Sequence, residues 1–125
     1  ARHALLAVWT PRTRAPGTRR ALQSPANELW LSPISVWEAL VLAERGRLTI
    51  STSPAEWVQQ MVQAIPRREA PLTHDIVVMS RRLVLSHQNP ADRFLAATAR
   101  VMELTLVTAD ERLLQSNEYA VMANK

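Results

Sequence analysis

The sequence contains no cysteine, which excludes disulfides, thiol nucleophiles and zinc–thiolate sites and fits a reducing compartment. Its two glycines, Gly17 and Gly46, are too few and too far apart for a glycine-rich phosphate loop. No apolar run approaches the roughly 18 residues of a membrane span, and the first residues lack the apolar core of a signal peptide. A cytoplasmic protein is therefore expected. His3, His74 and His87 are scattered, with no i, i+4 pair and no carboxylate at a suggestive offset, so packing or surface roles fit them better than ligand or base roles. Acid is missing from residues 1–27, where Arg2, Arg12, Arg14, Arg19 and Arg20 contribute +5; residues 28–125 hold ten basic and eleven acidic groups and contribute −1, for a net charge of +4. That basic segment suits sequence-independent attraction to phosphates, and equally a solvated loop and helix face.

A chain of 125 residues is read as one domain, 1–125, able to bury about two-thirds of the surface it exposes unfolded. Residues 3–9 (HALLAVW) read as a short apolar helix, residues 10–17 as a loop broken by Pro11, Pro16 and Gly17, and Arg19–Gln23 as a second short helix capped by Thr18. Glu28–Leu31 is the first clear strand. Ser35 is expected to cap a helix over Val36–Arg45, Ser53-Pro54 to open another that Pro66 ends, and Thr73 to cap His74–Leu83 after a short strand at Glu69–Leu72. Asn89-Pro90 opens a longer helix, followed by a strand at Thr105–Thr108, a short helix at Glu111–Gln115 and a closing strand at Tyr119–Met122. Alternating strands and helices predict an α/β domain with a mainly parallel sheet.

Three acids, Glu38, Asp92 and Asp110, fall at strand ends or helix starts, on the edge where an open sheet gathers a site. Acids at helix starts also serve the dipole or a capping box: Glu38 stands three residues after Ser35, Glu56 three after Ser53, and Asp75 opens its own helix. The sharper reading is that carboxylates crowded together repel, and that hard oxygen ligands without histidine suit Mg²⁺ or Mn²⁺, the chemistry of metal-dependent phosphodiester hydrolysis. Arg93, beside Asp92, is a candidate phosphate contact, or else pairs with a neighbouring acid. Trp9, Trp30, Trp37 and Trp57 lie in apolar-periodic segments and are expected in the core or a dimer interface rather than under nucleic-acid bases.

The runs NPADRFLAATA (89–99), LVTADERL (106–113) and LSPISVWE (31–38) resemble PIN domains, and more narrowly the VapC toxins of bacterial toxin–antitoxin pairs. The resemblance implies a three-layer parallel-sheet fold, Mg²⁺ or Mn²⁺ as cofactor, endoribonuclease activity on RNA, a homodimer, and a cognate antitoxin protein as inhibitor. It places the family's second, third and fourth acids on Glu38, Asp92 and Asp110 as catalytic and metal-binding residues, with Thr108 at a supporting hydroxyl position. PIN domains open with an apolar strand ending in aspartate, often followed by a Thr-His pair. Aligning His3 with that histidine puts Ala1 at the aspartate and Arg2 at the threonine, so the first central strand and its carboxylate are expected to be missing from this chain or rebuilt, or to lie upstream of Ala1. Without that acid, weak metal binding and poor cleavage are expected, and the alternative is a non-catalytic PIN-like module that binds protein or RNA.

Overall fold

The computed structural model describes residues 3–7, 24–46, 51–64, 67–85, 88–108 and 110–123. The predicted loop at 10–17, the helix at 19–23, Trp9, Ile65, Pro66, His87 and the five arginines of the basic segment lie outside those residues.

The sheet is built around β1, His3–Ala7, which pairs in parallel with β2, Asn27–Leu31, on one side and with β4, Thr105–Thr108, on the other. This corrects one expectation, since residues 3–7 form a strand rather than a helix, and of the alternatives for the first central strand it agrees with the rebuilt one: the middle of the sheet is filled. Leu5 and Leu6 point to opposite faces of the strand, yet both are buried, at 4% and 0% exposure. A strand covered on both faces shows no alternation of apolar and polar residues, which is why its pattern passes for a buried helix. Register matches like with like across the sheet, Leu5 opposite Leu29, Ala7 opposite Leu31 and Leu6 opposite Leu106.

Short strands β3, Arg68–Glu69, and β5, Val121–Ala123, close the edges, giving the order β3-β2-β1-β4-β5 with every neighbouring pair parallel. On one face Ala7, Leu29 and Leu31 meet Val36 of α1, Pro33–Glu44, and Val62 of α2, Pro54–Ala64. On the other, Leu6 and Leu106 meet Ile76 of α3, His74–Arg82, then Leu95, Ala96 and Ala99 of α4, Pro90–Met102, and Leu113 of α5, Glu111–Leu114. The fold is thus three layers, α/β/α. The chain runs outward from β1 to β3, returns beside β1 at β4, and runs outward again, so the carboxyl ends of β1 and β4 flank the point where strand order reverses.

Local chemistry explains the shifted boundaries. Ser32, not Ser35, caps α1, accepting the Ile34 N–H at 3.0 Å ahead of Pro33 in the first turn. Ser35 is buried instead and donates its hydroxyl to the Ala7 carbonyl at 3.1 Å, tying the start of α1 to the end of β1. The third strand ends early because Pro71 has no N–H to continue the ladder beyond the Ala70–Leu31 bond. The last strand starts two residues later than expected, since Tyr119 turns into the core and donates its hydroxyl to the Leu113 carbonyl at 3.0 Å. Among the described residues no helix is long and apolar enough to cross a membrane.

Candidate acidic site

Glu38 lies in the second turn of α1, whose first turn holds no acid. With the cap at Ser32, the capping-box role is closed to it. Asp92 sits in the first turn of α4, its N–H held by the Asn89 side chain at 3.3 Å, and so keeps a favourable place in the helix dipole as well. Because α4 leads back into parallel strand β4, its first turn stands at the carboxyl end of the sheet. Asp110 follows β4 directly and caps α5, and its N–H donates to the buried Thr108 hydroxyl at 3.1 Å.

Electrostatics join the three acids through Asp92. The half-buried Glu38 carboxyl is pushed up from 4.5 to about 7, first by desolvation and then by the charge of Asp92. On the other side, Asp92 and Asp110 act on the same two groups. The Tyr119 phenol is raised mainly by burial, with Glu118, Asp110 and Asp92 adding to it. The Arg112 guanidinium is held charged chiefly by its hydrogen bond to Asp110, with the charges of Asp110 and Asp92 contributing.

The acids share an edge without closing on one point. Among the described residues no three acids or histidines stand close enough to hold a metal ion. Asp110 Oδ1 accepts the Arg112 backbone N–H at 2.8 Å and Nε at 3.3 Å, and its Oδ2 accepts Nη2 at 3.1 Å. β1 ends on Ala7, which brings no carboxylate. The donor set is nonetheless suited to a hard divalent cation: all oxygen, with the Glu38 carboxyl held toward its neutral form by burial and then by the charge of Asp92.

Two further side chains stand differently from expectation. Arg93 is 5% exposed, and its guanidinium donates to the carbonyls of Ser80 at 2.7 Å and Leu83 at 2.6 Å. It therefore satisfies the end of α3 and stitches that helix to α4, a place unsuited to contacting a phosphate. Trp37 is 56% exposed, so of the two places expected for it, core or dimer interface, the core is excluded. Trp30 is half-buried and donates its indole N–H to Glu28 at 2.8 Å beneath the Arg68 guanidinium. Arg112 went unremarked in the sequence, although an arginine two residues after an acid at a helix start is a readable sign of such a fork.

A profile of the PIN domain matches residues 2–118. Ribonuclease VapC22 of Mycobacterium tuberculosis is 34% identical over 89 residues, covering 70% of this chain and 67% of that protein. Among solved structures, VapBC2 from Rickettsia felis bound to a fragment of promoter DNA aligns with a TM-score of 0.66 at 12% identity, covering 96% of this chain and 98% of that one. DNA-bound VapBC from Salmonella typhimurium gives 0.64 at 13% identity with both chains fully covered. FitAcB from Neisseria gonorrhoeae gives 0.60 at 16% identity with 97% of each covered. At these identities the structural likeness is one of fold.

Proposed function

Because this chain belongs to the PIN domain family, we propose that residues 1–125 act as one such domain, a VapC-like endoribonuclease that hydrolyses RNA phosphodiester bonds. The observation that carries the reading at residue level is the coupling of Glu38 to Asp92 at the sheet edge, beside Asp110. Divalent-metal dependence is general among VapC ribonucleases of this family. Glu38, Asp92 and Asp110 are the residues that would hold Mg²⁺ or Mn²⁺ here. Such an ion, when bound, supplies an activated water and offsets charge developing on the phosphoryl oxygens.

The chain's own part is to fix the acids. Asn89 and Thr108 hold the backbones of Asp92 and Asp110, and Ser35 holds the helix that carries Glu38 against β1. A cognate antitoxin and a second copy of the chain are the proposed protein partners, as toxin–antitoxin complexes of the same fold suggest. Asp92→Asn is expected to abolish Mn²⁺-dependent cleavage of RNA while leaving the thermal melt within about 2 °C of the parent, since a neutral isostere keeps the helix-start geometry. Undiminished cleavage by this variant would reject the assignment.

A second reading, a non-catalytic module that binds RNA or protein, draws on the acid-free end of β1 and the engagement of Asp110 by Arg112. Calorimetry with Mn²⁺ separates the two: no binding at millimolar ion favours the module.

A further inference from the structure

Arg112 meets Asp110 with more contacts than a helix cap needs. The backbone N–H to Oδ1, at 2.8 Å, completes the cap of α5. The guanidinium then adds Nε to Oδ1 at 3.3 Å and Nη2 to Oδ2 at 3.1 Å, so both carboxylate oxygens are engaged by one planar cation. Asp92 acts on the same guanidinium through space. One of the three acids of the site therefore already has a positive partner within the chain, and a second lies within electrostatic reach of it. The partner is also free to move: the Arg112 side chain is 55% exposed, and an exposed pair of this kind is weak enough to exchange.

We infer that Arg112 is a built-in counter-ion of the acidic site, a guanidinium fork that occupies Asp110 and that a divalent ion must displace before Asp110 can join Glu38 and Asp92. This rests on the proposed role of those three acids in holding metal, and it goes further by assigning a positioning residue that sets how much ion the site needs. Displacement is exchange of one cation for another on the same oxygens, with no bond made or broken in the backbone, since the cap through the Arg112 N–H does not depend on the side chain.

The test is Mn²⁺ binding to the full chain by titration calorimetry, with the intensity of the free-ion electron paramagnetic resonance signal as a second readout, for the parent, Arg112→Ala and Arg112→Lys. Removing a competitor of this strength is expected to tighten Mn²⁺ binding on the order of fivefold in Arg112→Ala. Arg112→Lys keeps the charge and loses the two-pronged fork, so its affinity is expected between the two. Equal affinity in parent and Arg112→Ala overturns the inference while leaving the metal reading intact. Lysine matching the parent also overturns it, because general charge repulsion rather than the fork would then set the affinity. If none of the three proteins binds Mn²⁺, the metal reading fails and the inference falls with it.

Discussion

Glu38 is the residue at which burial and charge act most clearly together. Its carboxyl keeps its proton up to about 7 in the folded chain, whereas unfolding returns it to its ordinary value of 4.5. Between those values the folded state binds more protons than the unfolded one, so this group's contribution to stability falls as pH rises through that window. Glu38→Gln is thus expected to be more stable than the parent above pH 7, by about 1–2 kcal/mol once partial exposure is discounted, with the two converging below about pH 4.5. Urea unfolding without divalent ions, at both ends of the window, measures the difference. That Glu38 comes within electrostatic reach of Asp92 was legible in the sequence, because strand-then-helix order fixes which edge it reaches. Its release from a capping role was not, since that depended on whether Ser32 or Ser35 begins the helix, and both are plausible caps.

At the scale of elements, the segment from Asn89 to Thr108 was read with nearly correct bounds because its signals are local: a capping asparagine, a proline in the first turn and a β-branched run. Strand β1 passes for a helix in sequence because what distinguishes it is cover on both faces, a property of its neighbours rather than of HALLA itself. Arg93 fails to show for a related reason, since nothing in sequence marks an arginine for burial. Its two bonds to the end of α3 make the α3–α4 pair a polar joint as well as an apolar one. Arg93→Ala is expected to cost about 2–4 kcal/mol in urea denaturation, because two buried carbonyls lose their donor. RNA affinity per folded molecule is expected to stay unchanged, which distinguishes this joint from a phosphate contact.

Over the whole molecule, the two apolar layers depend on one strand. Leu6 reaches the layer of Leu95 and Leu106, while Ala7 reaches that of Leu29 and Leu31. Leu6→Ala is expected to cost about 2–5 kcal/mol, the range for emptying a fully buried leucine site, and a thermal melt with metal absent reads it directly. The alternation of elements made the α/β class and parallel sheet legible. Strand order was not, because pairing across nearly the full chain length leaves no local trace.

That order has a temporal side. β1 takes its place between β2 and β4, and Leu5 aligns with Thr105, so during synthesis β1 must wait for a partner made about 100 residues after it. Asp110 becomes available only after that partner strand has been made. A chain synthesised only through α4 consequently carries Glu38 and Asp92 without the third acid, so the edge proposed to cut RNA takes shape only after β4 and the turn into α5 have followed.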